Sequence, residues 1–237
     1  MRRAGVAATM RRMNPAGKFI VIDGPDGSGK GVQLDRLAAA VAAAGGTVCR
    51  ARDPGGTVIG DRIRHVLLDF DLSGMDKRCE TLLFMASRAQ LVTEVIRPAL
   101  AAGQTVLCDR YISATCAYQG AAGMEPAEIV AIGRHAVGDT WPDLTIVLDV
   151  PAEVGFERIG RKAHHAGQAA TAGQLSMFSG AQADAMERRP LAFHRRVCEL
   201  FRELTRFYPT PVVVIDAQRS EDQVWADVQA AVQRAFQ

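Results

Sequence analysis

A glycine-rich segment, Gly24–Gly31, directly follows the short apolar run Phe19–Ile22 and limits the possible folds of this chain more than any other feature. An apolar strand, a glycine-rich turn and a helix are the setting in which the pattern G-x-x-x-x-G-K-[ST] binds phosphate. Backbone N–H groups of the turn and of the helix N-terminus bind polyphosphate oxygens, and Lys30 supplies the cation. We therefore predict that this segment, called the phosphate loop below, binds a nucleotide.

The last position of the phosphate loop departs from the pattern. Gly31 stands where a Ser or Thr hydroxyl would bind Mg²⁺, and Val32 after it has no side-chain oxygen. Phosphate binding depends on the backbone amides and on Lys30, both of which are retained. The missing hydroxyl therefore brings the catalytic strength of the site into question, and not its ligand class.

The rest of the chain alternates between short apolar runs and helical patterns. The predicted strands are Phe19–Ile22, Thr47–Ala51, Thr105–Cys108, Leu144–Val150 and Val212–Ile215. Because these runs are continuously apolar, they suit parallel strands that are covered on both faces. With right-handed crossovers the pattern predicts an α/β fold of the P-loop NTPase type: a doubly wound, parallel, five-stranded sheet with helices on both faces. A long helix is predicted over Asp76–Ala102, with Pro98 bending or ending its last turns.

Residues 163–183 interrupt this alternation. They are rich in Ala, Gly, Gln and Ser, contain no Asp, Glu, Lys or Arg, and show no apolar period. An insertion of this length suits a lid, although a plain low-complexity insertion fits the composition equally well. We predict a single domain over residues 18–237, with a lid insertion at about residues 158–185.

The first 17 residues are predicted to be a disordered leader. They contain no acidic residue, carry Arg2, Arg3, Arg11 and Arg12, and lack the apolar core of a signal peptide. Met13 offers an alternative start of translation, and a targeting role for the leader stays open.

Composition excludes several classes of partner. A net charge of +2 gives no reason to expect a nucleic-acid surface, and no apolar segment reaches the ~18 residues of a membrane span. Five cysteines without C-x-x-C spacing fit reduced thiols in a cytoplasmic protein. The five histidines lack the spacing of a zinc site. We therefore expect neither a nucleic-acid nor a membrane partner.

Three further groups of residues are candidates for a site. Asp109 and Arg110 follow a predicted strand, where a carboxylate can hold Mg²⁺ and a guanidinium can bind phosphate. The segment Arg52–Gly56 follows another strand, although it could equally be an ordinary turn. Phe84 and Arg88 share one helix face and could stack on a base and bind its edge. Spacing alone favours a buried Phe84 and a solvated Arg88.

Together these motifs resemble the thymidylate kinase family. The resemblance extends over about Lys18–Gln237 and rests on Asp26–Lys30, Arg52–Gly56, Phe84–Gln90, Asp109–Gly120, Pro142–Leu144 and Leu191–Val197, in the order of the family. It implies transfer of the ATP γ-phosphoryl group to dTMP, with Mg²⁺ as cofactor and a homodimer as the assembly. The residues it implies for ATP binding are Gly24, Asp26, Gly27, Ser28, Gly29, Lys30 and Gly31.

The resemblance also implies a dTMP site. Asp26 would lie near the 3′-hydroxyl of the sugar, and Arg110 would bind the dTMP phosphate. Phe84 would stack on thymine while Arg88 binds its edge. The remaining residues of the implied site are Thr115 facing the base, Tyr118 crowding the 2′ position of the sugar, and Arg52, Pro54 and Gln119.

The catalytic residues implied by the resemblance are Lys30, Asp109 as the metal ligand, and basic residues of the lid. Family members that lack an arginine in the phosphate loop usually supply one from the lid. Arg161 is the first candidate for the cation at the transferring phosphate, and Arg158 is the second. The lid also departs from the family, because Asp184-Ala185 stands where Asp-Arg is common. Because of this departure and of Gly31, a catalytically degenerate nucleotide-binding protein stays an alternative. A kinase for another deoxynucleotide or deoxynucleoside is a further one.

Overall fold

The structure, a computed structural model, describes residues 15–69, 74–160, 186 and 188–237. A parallel sheet in the order β2-β3-β1-β4-β5 lies at the centre of this part of the chain. Its strands are β1 (Phe19–Asp23), β2 (Val48–Arg52), β3 (Thr105–Asp109), β4 (Leu144–Asp149) and β5 (Val212–Asp216). The predicted five-stranded parallel sheet is confirmed, with strand ends that differ from the predicted ones by no more than one residue.

Helices connect consecutive strands and cover both faces of the sheet. They are α1 (Lys30–Ala43), α2 (Val58–Asp69), α3 (Lys77–Leu91), α4 (Arg97–Ala101), α5 (Ile112–Ala121), α6 (Pro126–Val137), α7 (Ala152–Arg158), α8 (Leu191–Phe207) and α9 (Glu221–Ala235). Local signals set several of the ends. The Asp76 carboxylate accepts the N–H of Arg78 at the start of α3, and Ser220 and Gln223 form a capping box at the start of α9.

The long predicted helix is interrupted earlier than expected. A π-helical turn at Val92–Ile96 separates α3 from α4, and Pro98 lies in the first turn of α4. Proline has no N–H to bond to the carbonyl of the preceding turn, and its ring crowds that carbonyl. The wider turn directly before Pro98 accommodates both effects. The irregular turn therefore lies directly before Pro98 in the chain.

The central strand β1 explains why the strands are continuously apolar. Phe19 and Val21 pack into one hydrophobic cluster with α3, α5 and α8, whereas Ile20 and Ile22 pack into another with α1 and α9. Successive side chains of a strand point to opposite faces, so both sets of side chains must be apolar when both faces are covered. At the sheet edges, most residues of β2 and β5 are only partly buried or exposed.

Most of the predicted leader and lid lies outside the described residues. Of the leader, residues 15–17 are described, and the carbonyl of Pro15 accepts a hydrogen bond from the Thr105 hydroxyl at 2.8 Å. Of the lid, only residues 158–160 are described. In the described part of the chain, no helix is long and apolar enough to cross a membrane.

Candidate active site

The phosphate loop connects β1 to α1 at the carboxyl edge of the sheet, and two of its glycines are required by close packing. Gly24 and Gly27 have φ angles of +137° and +75°. A Cβ atom at Gly24 would overlap the carbonyl oxygen of Leu148, and one at Gly27 would overlap the backbone of Gly155. Glycine is the residue that tolerates both the positive φ and the close approach. The loop is thus fitted tightly against β4 and α7.

Lys30 turns back into the phosphate loop. Its ammonium group donates hydrogen bonds to the carbonyl oxygens of Gly24 at 3.0 Å and Pro25 at 2.9 Å. Burial and the nearby Arg110 guanidinium lower the pKa of Lys30 to about 8, although neighbouring carboxylates act in the opposite direction. An ammonium ion in this position lacks a fully compensating anion. A polyphosphate bound at the loop would supply one.

Arg110 joins the phosphate loop to the neighbouring cleft. Its guanidinium lies 2.5 Å from a carboxylate oxygen of Asp26 and donates to the Gly24 carbonyl at 3.3 Å. The Tyr118 hydroxyl donates to the other Asp26 oxygen at 3.2 Å, and its ring lies under the Arg110 guanidinium at 5.2 Å. Burial disfavours the charged Asp26, but Arg110 and Lys30 more than offset it, so the pKa of Asp26 is lowered.

The backbone of Arg110 is itself unusual. Its φ of +68° lies in the left-handed region, where a residue with a Cβ is uncommon. Such strain persists where the surrounding structure holds the residue in place, and it is concentrated at functional sites. The conformation turns the chain sharply at the end of β3 and brings the guanidinium to Asp26.

Asp109 precedes Arg110 at the end of β3 and has the chemistry of a magnesium ligand. Its Oδ1 atom is buried and lacks a hydrogen-bond partner within the described ranges. Carboxylate oxygens are preferred ligands of Mg²⁺, which also keeps several waters. No group of three or more His, Cys, Asp or Glu side chains suited to a metal occurs among the described residues. Asp109 therefore fits the metal, and the other ligands would have to come from water and phosphate.

A cleft of about 230 Å³ opens beside the phosphate loop. It is lined by Asp26, Asp53, Pro54, Arg64, Leu68, Phe84, Arg88, Arg110, Ala114, Thr115, Tyr118, Gln119 and Met186. Eight of the nine residues predicted to bind dTMP are in this set. The ninth, Arg52, is an exposed residue at the end of β2 and does not line the cleft.

Arg88 is buried and is not solvated, so the structure corrects that interpretation. Its side chain is 1% exposed and forms an ion pair with Asp53. It also donates to the carbonyl of Tyr111 at 3.1 Å, the hydroxyl of Thr115 at 2.9 Å and the sulfur of Met85 at 2.9 Å. These partners use four of its five N–H groups. Phe84, one helical turn away, is buried as expected and also lines the cleft.

Burial and the attraction between Asp53 and Arg88 act in opposite directions on the pKa values of this ion pair. Burial raises the pKa of Asp53, and the Arg88 guanidinium only partly offsets this effect. For Arg88 burial acts to lower the pKa, but Asp53 prevails and the pKa is raised. The guanidinium is therefore permanently charged at the cleft wall, and Asp53 sets its orientation.

Sequence reasoning missed several residues of the cleft. Asp53 lay inside the motif Arg52–Gly56 but was not selected, and Arg64 on α2 carried no local signal. Arg64 donates to the carbonyl of Pro54 at 3.0 Å and lines the cleft. Met186 lies just after the predicted lid. Only the packing of distant segments identifies Arg64 and Met186 as parts of the site.

The structure describes only one of the two predicted lid arginines. Arg161 lies outside the described residues. Arg158, at the end of α7, donates hydrogen bonds to the carbonyls of Gly27 at 3.3 Å, Ala217 at 2.9 Å and Gln218 at 3.4 Å. It is thus adjacent to the phosphate loop, but its guanidinium would have to leave these carbonyls to reach a transferring phosphate.

The strand order and the lysine-bearing loop between β1 and α1 place this chain in the P-loop class of α/β nucleotide-binding proteins. Comparison with known proteins narrows the class. The family model for thymidylate kinase matches residues 22–228. The chain belongs to the thymidylate kinase family.

Individual relatives agree with this assignment. The chain is 42% identical over 207 residues to a thymidylate kinase of Solidesulfovibrio magneticus, covering 87% of this chain and 94% of the relative. It is 42% identical over 217 residues to a thymidylate kinase of Deinococcus radiodurans, covering 91% and 96%. For a thymidylate kinase of Desulfovibrio desulfuricans the identity is 38% over 216 residues, covering 91% and 94%.

Proposed function

We propose that this protein transfers the γ-phosphoryl group of ATP to dTMP, giving dTDP and ADP. The observation that carries the proposal is the position of Arg110, which lines the cleft and also donates to the Gly24 carbonyl of the phosphate loop. An acceptor phosphate bound by Arg110 therefore lies beside a donor polyphosphate bound at Lys30. Family membership supports the same reaction.

Phosphoryl transfer of this kind needs no protein nucleophile, because catalysis consists of alignment and charge neutralisation. Lys30 and the loop amides hold the donor, and Arg110 holds the acceptor phosphate. Asp26 orients Arg110. It also holds the hydroxyl of Tyr118, which lines the part of the cleft where the sugar would lie. Arg161 stays the first candidate for an additional cation, and Arg158 the second.

The family generally uses ATP with Mg²⁺, and Asp109 is the residue we assign to the metal. When bound, magnesium would neutralise charge that develops on the phosphate oxygens. The buried, unpartnered Oδ1 atom of Asp109 supports this assignment. Gly31 supplies no side-chain ligand, and so phosphate and water would complete the coordination sphere.

The thymine base is assigned to the part of the cleft between α3 and α5. Phe84 offers an aromatic face, and Arg88 has one N–H group left for a base carbonyl. Thr115 and Gln119, one helical turn apart on α5, lie on the opposite wall. Tyr118 lies beside Asp26, where it would crowd a 2′-hydroxyl of a ribonucleotide.

A homodimer in the cytoplasm is the expected assembly and location. Four large apolar side chains are exposed on the neighbouring helices α2 and α3: Val58, Ile59, Val66 and Leu82. An exposed apolar surface of this kind supports association with a second copy. Sedimentation velocity should give twice the mass of one chain, and a monomer at micromolar concentration would contradict the dimer.

An acceptor panel tests the proposed function directly. ADP release is measured with MgATP and, in turn, dTMP, dUMP, thymidine and dCMP. We expect dTMP to have the highest kcat/KM, because Arg88 is assigned to the edge of a thymine base and Arg110 to the phosphate of the acceptor. Turnover of dTMP no faster than that of a Lys30→Ala variant would favour the degenerate binding protein. Preference for dCMP or thymidine would favour another kinase.

Gly31→Ser is expected to lower the Mg²⁺ concentration required for half-maximal activity. The site of the new Cβ has no atom within 4 Å, and the backbone there has no positive φ, so the substitution introduces no strain. The added hydroxyl would supply the metal ligand that the pattern normally contains. By analogy with the loss of one oriented donor, kcat could rise by up to ~10²-fold.

The control for this variant is Gly31→Ala, which adds the Cβ without the oxygen. It separates a metal effect from stabilisation of the first turn of α1, which alanine also provides. Equal Mg²⁺ dependence in Gly31→Ser, Gly31→Ala and the unmodified protein would show that the metal is held by another route.

A further inference from the structure

Two side-chain hydrogen bonds link α3 to α5 across the cleft. On α3, Glu80, Phe84 and Arg88 follow one another at four-residue spacing and share one face. On α5, Thr115 and Gln119 share the facing side. Arg88 donates to Thr115 at 2.9 Å, and Gln119 donates to Glu80 at 3.3 Å. Phe84, the proposed stacking platform, therefore lies between the two contacts.

The Glu80 contact fixes which end of the Gln119 amide faces the cleft. An ionised carboxylate only accepts hydrogen bonds, so it must face the NH₂ group of the amide. The structure shows this orientation, with Nε2 of Gln119 donating to Oε2 of Glu80. The carbonyl oxygen Oε1 is then the end that can face a ligand in the cleft that Gln119 lines.

Arg189 is the second partner of Glu80. Its guanidinium donates to the other Glu80 oxygen at 2.7 Å, and the Glu80 side chain is only 6% exposed. With one Glu80 oxygen held by Arg189, the other is fixed toward the NH₂ group of Gln119. Arg189 lies three residues after Met186, another residue of the cleft wall.

We propose that Glu80 and Arg189 are positioning residues that select the pyrimidine base by fixing the amide of Gln119. With Oε1 facing the base, Gln119 accepts from an N3–H group, while Arg88 donates to a C4 carbonyl. Thymine and uracil have this donor and acceptor pattern. Cytosine has the reverse pattern, an acceptor at N3 and a donor at C4, and is rejected because polar groups would be left unpaired.

This inference rests on the proposed function, and the test distinguishes the two. Dissociation constants for dTMP, dCMP and ATP are measured by calorimetry for the unmodified protein, Glu80→Gln, Arg189→Ala and Arg189→Lys. Glu199→Gln is the matched control, because it neutralises an exposed glutamate that pairs with Arg196 at 2.9 Å. If the unmodified protein binds no dTMP, the proposed function is wrong.

For Glu80→Gln we expect dTMP to bind about tenfold more weakly. The ratio of dTMP affinity to dCMP affinity should fall by at least the same factor. ATP binding should not change. Arg189→Ala should have the same effect in the same direction, and Arg189→Lys should retain most of the preference because an ammonium can still pair with Glu80. Glu199→Gln should behave like the unmodified protein.

Two results would overturn the positioning role while leaving the proposed function intact. One is an unchanged ratio of dTMP to dCMP affinity in the variants. The other is a parallel loss of dTMP and ATP affinity, which would indicate general destabilisation. Arg189 is partly exposed, so Arg189→Ala is expected to fold. It is the variant that tests the positioning role if Glu80→Gln does not fold.

Discussion

Lys30→Ala is expected to lower kcat for dTMP phosphorylation by about 10³-fold, the effect of losing a positioned cation at a transferring phosphate. Lys30 is the cation that lies within the phosphate loop, held by the Gly24 and Pro25 carbonyls. The variant should fold normally. Burial lowers the pKa of Lys30 to about 8, which means that the folded protein disfavours its charge and loses little when the charge is removed.

The measurement is ADP release with saturating MgATP and dTMP, combined with calorimetric binding of dTMP alone. We expect dTMP affinity to stay within a few-fold of the original, because the acceptor is assigned to Arg110 and the cleft. Lys18→Ala is the control, since Lys18 forms a partly exposed ion pair with Asp143 at 3.4 Å and lies just before β1, at the opposite end of that strand from the phosphate loop. Turnover by Lys30→Ala close to that of the unmodified protein would contradict the assigned role of the loop.

Arg88→Met is expected to lower the free energy of unfolding by about 3–5 kcal/mol, the usual consequence of removing one partner of a buried ion pair. The substitution leaves Asp53, 2% exposed, without its guanidinium, and it removes the bonds to Tyr111 and Thr115. It should also abolish measurable dTMP binding, since Arg88 is the residue assigned to the base edge. ATP binding should be retained in the folded fraction.

The destabilisation in Arg88→Met should depend on pH. Burial already raises the pKa of Asp53 from 3.8, and the variant loses the cation that opposed this effect. A carboxyl group with a raised pKa binds more protons in the folded than in the unfolded state, so stability falls as pH rises through the raised pKa. We therefore expect a smaller loss at about pH 5 than at about pH 8.

Urea unfolding at the two pH values provides the measurement. Arg202→Met is the matched control, because Arg202 pairs with Asp149 at 3.2 Å on the surface and its side chain is 47% exposed. That variant should lose less than about 1 kcal/mol. Equal losses in the two variants would show that the Arg88–Asp53 pair is not the structural element that we describe.

The sheet and the phosphate loop were predictable because both depend on local patterns. A strand covered on both faces requires an unbroken apolar run, as in Phe19–Ile22, and a loop packed against backbone requires glycine at Gly24 and Gly27. Asp109 and Arg110 were predictable for a related reason. The carboxyl ends of parallel strands meet at one edge, so residues just after a strand are brought together wherever the strands pair.

The buried position of Arg88 could not be predicted in this way. Helical spacing shows only that Phe84 and Arg88 share a face, and an arginine on a helix is usually solvated. Its burial depends on Asp53, which lies just after β2, 35 residues earlier, and comes within reach of α3 only in the folded chain. The same limit explains why Asp53, the neighbour of Arg52, was overlooked.

By itself, therefore, the sequence determined the α/β architecture, the phosphate loop and the resemblance that names the reaction, since each is written in contiguous residues. Tertiary structure alone decided which polar side chains are buried together. The Arg88–Asp53 pair, the contact of Arg64 with the cleft, and the link from Arg189 to Glu80 across 109 residues are examples. The energy of a buried charge depends on partners that no local pattern specifies.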